Sequence, residues 1–247
     1  MVEEVLLTGA SGHVGQAILE RLADDYRWRL YDREHPGEDA PGAVFVGDIT
    51  DEPQLEEAID GVDAIIHLAA DPRPEAPWQS VLTNNIDGAQ TVFRKAAEAG
   101  VDKLAFASSN HVVGGYETPE RTPEMYREHD RDRLDGTELP RPGNLYGVSK
   151  ATGEVLGRYY ADTTDLDVVC VRIGNLTRGQ PPKDYERGQA MWLSYRDCAH
   201  LFDCCLRGTY DFLIVYGISN NDRRFYSLEP ARTHLGYDPQ DNSAAYE

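Results

Sequence analysis

Tyr146 and Lys150 are the residues whose types and spacing first suggest chemistry. Four residues apart on a helix, their side chains project from one face, one turn apart. A free tyrosine has a pKa near ~10 and is a poor base at neutral pH, but a neighbouring cation favours the phenolate. The pair therefore predicts a general base, with Lys150 lowering the pKa of Tyr146. Alone, this spacing fits a surface pair on a helix equally well, so other stretches must support it.

A glycine-rich stretch near the amino terminus predicts a dinucleotide site. The apolar strand Val5–Leu7 runs into Thr8–Gly15, and a helical pattern extends from Gln16 to about Ala23. Strand, glycine turn and helix form the context that a dinucleotide fingerprint requires, although the spacing here is Gly-x-x-Gly-x-x-Gly. The free N–H groups and the dipole of the helix favour phosphates there. The expected contacts are Gly9, Ser11, Gly12, His13, Val14 and Gly15.

Further cofactor contacts are expected at the ends of the next strands. Trp28–Tyr31 ends in Asp32, at the distance where an acidic residue accepts from the adenosine ribose hydroxyls, and Arg33 follows it. A strand-end turn aspartate is the alternative. Asp48 and Ile49 are expected against the adenine. After a fourth strand, small residues would let the cofactor lie close: Leu68, Ala69 and Ala70.

The predicted sheet also delivers polar residues to its carboxyl end, where open α/β sheets bind ligands. The strand Leu104–Ala107 leads into Ser108–His111, and a Ser109 hydroxyl there would hydrogen-bond a reacting oxygen beside the tyrosine. The proline-rich loop Asp71–Trp78 carries Arg73, either a substrate contact or a solvated arginine.

The helix predicted from Ser80 to Ala99 contains the pair Asn84-Asn85. Asparagines inside a helix cost helical propensity, because their side chains compete for backbone hydrogen bonds. The pair therefore predicts a local irregularity with a structural or catalytic purpose.

Alternating short strands and helices predict an α/β fold, a doubly wound parallel sheet of the Rossmann type. Residues 1–172 would form the dinucleotide-binding core with the Ser/Tyr/Lys group. Residues 173–247 would form a small substrate-capping region within the same compact unit, which would cap the carboxyl edge of the sheet rather than fold alone. Glu117–Pro140 is expected to be an irregular surface loop with little core.

The loop Leu176–Gln189 is predicted to be a substrate lid without a strand. Its cations, in an otherwise acidic protein, favour an anionic ligand. They are Arg178, Lys183 and Arg187. The alternative is that Arg178 and Lys183 pair with acids such as Asp184 and Glu186.

The composition restricts the class of protein. With 43 acidic and 24 basic side chains among 247 residues, the net charge of −19 repels nucleic acid and anionic membranes. Only four of the cations are lysines. Such a surface indicates a soluble cytoplasmic protein of a salt-loving organism, since high ionic strength screens the repulsion. No stretch has the pattern of a signal peptide or the length of a membrane span. Four cysteines in apolar stretches lack metal-ligand spacing and predict reduced core thiols.

The glycine loop, Asp32, Asp48, Ser109 and Tyr146-x-x-x-Lys150 together resemble the extended short-chain dehydrogenase/reductase superfamily. Ser108–His111, Asn144–Lys150 and Arg172–Asn175 are similar to uronate dehydrogenases. The Asp71–Trp78 loop and the stretch Pro181–Asp197 look like the archaeal NAD-dependent glucose-6-phosphate dehydrogenases, which oxidise the C1 hydroxyl of the sugar to a lactone.

This resemblance implies NAD as the cofactor and specific roles for the candidate residues. Tyr146 would take the C1 hydroxyl proton, Lys150 would lower its pKa and hold the nicotinamide ribose, and Ser109 would hydrogen-bond the reacting oxygen. Asn85 would support the proton relay behind Lys150. Ile173 would complete the cofactor site. The substrate contacts implied are Arg73, Ser109, Asn110, His111, Tyr146, Asn175, Lys183 and Arg187, with Arg187 matching the arginine that uronate dehydrogenases use for the C6 carboxylate.

The paired helices of the superfamily also imply a homodimer or higher homo-oligomer. Two alternatives remain for the activity. One is uronate oxidation by the same machinery. The other is a non-catalytic NAD-binding regulator, against which the intact Ser109, Tyr146 and Lys150 argue, because a sensor has no need of a proton-transfer group. Epimerase or dehydratase chemistry usually requires a larger substrate domain.

Overall fold

Nine strands are present in the computed structural model, which describes residues 2–122, 124–126, 134–183 and 186–246. The strands are β1 (Glu4–Thr8), β2 (Arg27–Asp32), β3 (Gly42–Val46), β4 (Ala64–His67), β5 (Lys103–Ser109), β6 (Asp167–Ile173), β7 (Asn175–Thr177), β8 (Trp192–Ser194) and β9 (Phe212–Gly217). Seven of them form one parallel sheet in the order β3-β2-β1-β4-β5-β6-β9. The predicted doubly wound parallel sheet is confirmed.

The connections between the strands are mostly helical. The α-helices are α1 (His13–Leu22), α2 (Glu52–Ile59), α3 (Trp78–Ser80), α4 (Gly88–Glu98), α5 (Leu145–Thr163), α6 (Glu186–Ala190), α7 (Tyr195–Arg207) and α8 (Glu229–Leu235). A π-helical segment, Val81–Asp87, joins α3 to α4, so the predicted irregularity at Asn84-Asn85 is confirmed. Within the described residues, three 3₁₀ helices follow β5: Asn110–Tyr116, Glu124–Tyr126 and, near the C-terminus, Ser243–Tyr246.

Both faces of the sheet are buried, as expected when helices cover the two sides of a parallel sheet. Successive strand residues point to opposite faces, and Leu6 and Leu7 accordingly belong to different apolar clusters. One cluster packs α1 and α7 against the sheet, and the other packs α2 and α4 against it. Strands buried on both sides must be continuously apolar, which explains the run at Ala64–Ile66.

The carboxyl ends of the strands meet at one edge and collect the polar residues there. Thr8, Asp32, His67 and Ser109 each end a strand. The register of β5 on β6 places Ser109 beside Ile173. The sheet thus gathers residues that are far apart in the chain into one crevice.

Two expectations about irregular segments are wrong. The predicted lid loop is not devoid of strands, because β7 pairs with β8, and α6 begins within it at Glu186. The segment Glu117–Pro140 does contribute to the core, since Met125 and Tyr126 are buried and Leu134 bridges to Tyr226. Apolar side chains there fill space against the C-terminal part, a contact that local patterning does not show.

The last third of the chain completes the sheet, because β9 pairs with β6 at its edge. All four cysteines are buried and unpaired, as predicted: Cys170, Cys198, Cys204 and Cys205. In the described ranges, no helix has the length and apolar character needed to cross a membrane.

Candidate active site

A cavity of about 310 Å³ lies at the carboxyl end of β5 and β6. It brings together several residues that the sequence predicted as catalytic or substrate-binding. Its lining consists of Pro72, Ser109, Asn110, His111, Tyr146, Gly174, Asn175, Arg187 and Met191. Polar side chains that converge in a cavity of this size are typical of a small-molecule site.

Helix α5 places Tyr146 in this cavity through its first turn. Asn144 caps the helix, and its side-chain oxygen accepts from the Gly147 N–H at 2.8 Å. The Asn144 amide nitrogen lies 2.9 Å from His111 Nδ1, which ties the helix start to the end of β5. Gly147 permits this approach, because a Cβ there would lie 2.3 Å from the His111 carbonyl oxygen.

Lys150 lies one turn further along α5 and is 3% exposed. Its Nζ is 5.7 Å from the centre of the Tyr146 ring and 4.9 Å from that of Phe106. The helical pairing predicted for Tyr146 and Lys150 is therefore present: Lys150 is buried, and the half-buried Tyr146 lines the cavity.

The ionisation of the pair differs from the prediction. Burial raises the pKa of Tyr146 to about 12; the Ser109 hydroxyl acts in the lowering direction and the charge of Asp71 in the raising direction. Burial also lowers the pKa of Lys150 to about 8. The expected lowering of the tyrosine pKa by Lys150 is not found, because desolvation disfavours the charged form of both groups.

Ser109 and Asn110 follow each other at the end of β5 and both line the cavity. Ser109 Oγ accepts from the His111 N–H at 3.2 Å and caps the 3₁₀ helix Asn110–Tyr116. Asn110 is 4% exposed, and its amide nitrogen lies 3.4 Å from Met191 Sδ. Its Oδ1 has no partner within the described part of the chain. A buried acceptor without a donor is costly, so this atom is suited to a ligand hydroxyl.

Arg187 on α6 is the lid cation that reaches the cavity. Its guanidinium makes a two-point ion pair with Glu117, in which Nε donates to Oε2 and Nη2 donates to Oε1 at 2.8 Å. Burial, together with the charge of Arg187, lowers the pKa of His111, and the charge of Glu117 opposes this shift. The sequence did not indicate this pair, since its members are 70 positions apart.

The other predicted cations lie elsewhere. Arg178 is exposed and pairs with Glu20 at 3.2 Å, because β7 turns its end toward α1. Arg73 is exposed and donates to the Asp71 carboxylate at 2.6 and 2.9 Å. Lys183 is exposed, and Asp184, its predicted partner, lies outside the described residues. The structure thus does not bring Arg178 together with Arg187 in one anion site.

Asn85 is 3% exposed within the π-helical segment. Its side chain accepts from the Asp71 N–H at 2.7 Å and donates to the Asp71 carbonyl at 3.0 Å and to Ser149 Oγ at 3.1 Å. Ser149 in turn donates to the Tyr146 carbonyl at 2.7 Å. Asn85 therefore joins the proline-rich loop to the turn of α5 between Tyr146 and Lys150.

The glycine loop has the shape expected of a dinucleotide cradle. Gly9 has a φ of +74°, and a Cβ there would lie 2.8 Å from the Ala69 nitrogen, so only glycine fits between β1 and β4. The Asp32 carboxylate accepts from the N–H groups of Ser11 at 2.8 Å and of Arg33 at 2.7 Å. The end of β2 is thereby held against the loop, which leaves Gly12, His13 and Val14 at the start of α1.

The remaining predicted cofactor contacts surround this loop with different degrees of exposure. Ile49 is buried against Gly88, and Asp48 accepts from the hydroxyl of Thr50 at 2.7 Å and its N–H at 3.0 Å. The Leu68 and Ala69 N–H groups both donate to Thr8, and Ala70 is half-buried. Ile173, at the end of β6, is half-buried as well.

The sequence also gave no indication of a buried ionic network behind the cavity. Arg172 donates to both oxygens of Glu154 on α5 at 2.8 and 2.9 Å and to Glu138 at 2.5 Å. Ser108 donates to Glu154 at 2.6 Å. This network holds the end of β5 against α5, so that Ser109 and Tyr146 are fixed relative to each other.

Comparison with known proteins agrees with this geometry. Residues 5–191 match the model of the NAD dependent epimerase/dehydratase family. The chain is 65% identical to an NAD-dependent glucose-6-phosphate dehydrogenase of Haloferax volcanii, over all of this chain and 96% of that protein. It is 38% identical to an L-arabinose 1-dehydrogenase (NAD(P)(+)) of the same organism, over 97% of each. A uronate dehydrogenase of Agrobacterium tumefaciens, crystallised as a mutant complexed with NAD, superposes with a TM-score of 0.86 at 30% identity, covering all of this chain and 88% of the other.

Proposed function

This chain belongs to the NAD dependent epimerase/dehydratase family, and we propose that it oxidises glucose 6-phosphate at C1 to the lactone with NAD. The observation that carries the proposal is the cavity in which Tyr146 and Ser109 face Arg187. A reactive hydroxyl pair beside a cation suits a sugar with its C1 hydroxyl at one end and an anion at the other.

The residues have distinct parts in this reaction. The Tyr146 phenolate takes the proton of the C1 hydroxyl and becomes the neutral phenol, while the C1–H bond breaks and its hydrogen leaves as hydride, so that the C1–O bond becomes the lactone carbonyl. Ser109 hydrogen-bonds the reacting oxygen. Lys150, with its pKa of about 8, is largely protonated at neutral pH, and its positive charge stabilises the Tyr146 phenolate that accepts the proton. Asn110 and His111 contact the sugar hydroxyls, with the unpartnered Asn110 Oδ1 as one acceptor.

The glycine loop and Asp32 fit NAD. The start of α1 would hold the pyrophosphate, and Asp32 would accept from the adenosine ribose hydroxyls. When bound, NAD accepts the hydride. Asp32 also disfavours the 2′-phosphate of NADP by charge repulsion, and Arg33 beside it softens this effect, so a strong preference for NAD is expected.

A uronate is the second candidate substrate, because the uronate dehydrogenase fold matches closely and Arg187 suits a carboxylate. Glucose 6-phosphate is favoured by the higher identity of the Haloferax relative across the whole chain.

The test is NADH production in molar KCl, with glucose 6-phosphate, glucuronate, L-arabinose and glucose as substrates and NADP as the second cofactor. Glucose 6-phosphate with NAD should give the highest kcat/KM. Arg187→Ala should cost about 2–5 kcal/mol in kcat/KM for the phosphorylated sugar, as when one partner of a desolvated charge pair is removed. Glucose should be little affected.

Tyr146→Phe is the control for the chemical step. It should retain cofactor binding and lose about 10²–10⁴ in turnover, the usual contribution of a placed general base. A higher kcat/KM for glucuronate, or an equal loss of all sugars in Arg187→Ala, would contradict the glucose 6-phosphate assignment.

We also infer a cytoplasmic homo-oligomer. Helix α5 presents apolar side chains to solvent on one side, and a second copy would cover them. They are Leu145, Val148, Val155 and Tyr159. Light scattering in molar salt measures the mass, and a monomer would contradict this inference.

A further inference from the structure

Glu117 directly follows the 3₁₀ helix that carries His111, and its side chain is only 9% exposed. Its two carboxylate oxygens hold the Nε and Nη2 edge of Arg187, and Oε2 also accepts from the Tyr126 hydroxyl at 2.5 Å. A buried carboxylate therefore has both oxygens engaged, and a cation that lines the cavity is one of its partners.

The geometry of the pair fixes a direction as well as a charge. Arginine presents its donors in a rigid planar fork, so a two-point contact sets the plane in which the guanidinium lies. A solvated arginine loses rotamer freedom when it meets a ligand, and an arginine already held by a carboxylate has lost that freedom beforehand.

Glu117 is itself held from the core. Tyr126 packs against Phe225 with ring centres 5.3 Å apart, and Phe225 lies 4.2 Å from the ring of Tyr226. Tyr226 stacks in turn on Tyr216 at 4.2 Å. A row of aromatic rings thus supports the hydroxyl that donates to Glu117, so the carboxylate has a rigid base on the side away from the cavity.

We propose that Glu117 is the positioning residue for Arg187, so that selectivity for sugars with an anion at C6 depends on the Glu117–Arg187 pair and not on Arg187 alone. This inference rests on the proposed function for the nature of the substrate. Glu117 itself touches neither the sugar nor the reacting atoms in this scheme. It acts by holding the guanidinium in the plane from which the C6 anion is met.

A double-mutant cycle tests the proposal, with Glu117→Ala, Arg187→Ala and the double variant measured on glucose 6-phosphate and on glucose. In Glu117→Ala, KM for glucose 6-phosphate should rise on the order of tenfold, while kcat changes little, as expected for two coupled neighbours. The ratio of kcat/KM for glucose 6-phosphate over that for glucose should fall by the same factor. In the Arg187→Ala background, removal of Glu117 should have no further effect on that ratio.

Two further variants make the cycle specific. Tyr126→Phe removes only the hydroxyl that holds Glu117 and should raise KM in the same direction by a smaller factor, which tests the inference even if Glu117→Ala does not fold. Glu20→Ala is the matched control, because it removes an acid from the exposed Arg178 pair. It should leave the selectivity ratio unchanged.

Three results would overturn the proposal. The first is an equal fall of kcat on both sugars in Glu117→Ala, and the second is a fall of KM for glucose 6-phosphate in the same variant. The third is an effect of Glu117→Ala on the selectivity ratio that is just as large in the Arg187→Ala background. Failure of the proposed function looks different. In that case the wild-type enzyme itself would show no preference for an anionic sugar, or Arg187→Ala would leave that preference intact.

Discussion

Lys150 is buried and Tyr146 is half-buried, and desolvation disfavours charge on each of them. The charged form of this lysine therefore destabilises the folded protein through desolvation, which an exposed lysine avoids. Its folded pKa of about 8 lies below the ordinary lysine value of 10.5. Between these values the unfolded chain binds more protons than the folded one, so stability should increase as the pH rises through this window.

Lys150→Met tests this linkage. The stability of the wild type minus that of the variant should be constant below pH 8, rise through the window by about 3 kcal/mol, and level off above pH 10.5. Urea unfolding at fixed salt concentration measures the two stabilities. The titration of the other groups contributes equally to both proteins and therefore cancels in their difference. Lys183→Met removes an exposed lysine and should leave the slope of stability against pH the same as in the wild type. A difference that stays constant from pH 7 to 11 would show that Lys150 is not destabilised by burial.

At the residue scale, the sequence predicted the groups whose spacing is local. Tyr146 and Lys150 lie on one helix turn, and Ser109 ends a strand, so short-range patterns suffice for them. Glu117 was missed because its partner Arg187 is 70 positions away and no local pattern links the two. The orphan oxygen of Asn110 depends on side-chain packing around Met191, which a sequence does not specify.

At the scale of elements, the π-helical segment Val81–Asp87 has a clear task. The wider turn places Asn85 so that one side chain satisfies both backbone groups of Asp71 and also reaches α5. The adjacent Pro72 lines the cavity. The segment thus sets where the proline-rich loop lies relative to Tyr146.

Asn85→Ala should destabilise the protein by about 1–3 kcal/mol, because it leaves the backbone groups of Asp71 without partners. It should also raise KM for the sugar, since the loop that carries Pro72 loses its anchor. Thermal unfolding and steady-state kinetics measure the two effects. Asn84→Ala is the matched control and should be milder, because the half-buried Asn84 side chain bonds, among the residues that the structure describes, to Ser80 alone. If kcat alone falls and stability is unchanged, the proton-relay role implied by the family resemblance is the better account.

The periodicity of apolar residues predicted the helices and the longer strands, but it did not predict the short elements. Three residues of β7 cannot display an alternation, so the lid was predicted without a strand. The segment Glu117–Pro140 looked polar and irregular, yet Met125 and Tyr126 are buried because the C-terminal part covers them. Tertiary contacts, and not local composition, determine the structure and burial of such segments.

At the scale of the whole molecule, charge is the dominant feature. A net charge of −19 on a chain of 247 residues means that repulsion between carboxylates opposes the folded state at low ionic strength. Surface ion pairs in the described residues, such as that of Arg94 with Glu52, involve only a fraction of the acidic side chains.

The melting temperature should therefore climb from low to molar KCl, because salt screens this repulsion. Sucrose at matched osmolality is the control, since it stabilises by exclusion and does not screen charge. A KCl curve no steeper than the sucrose curve would reject the halophilic interpretation.

The position of β9 in the sheet has a consequence for biosynthesis. β6 stays an unprotected edge until Phe212–Gly217 has been synthesised and has paired with it. A ribosome makes the chain from the amino terminus, so most of the sheet emerges well before the strand that closes it. Until then the nascent protein exposes the unpaired backbone of an apolar strand, a template for pairing with other chains. Completion of this fold is thus a late event in translation, because the edge of β6 is covered only after β9 has emerged.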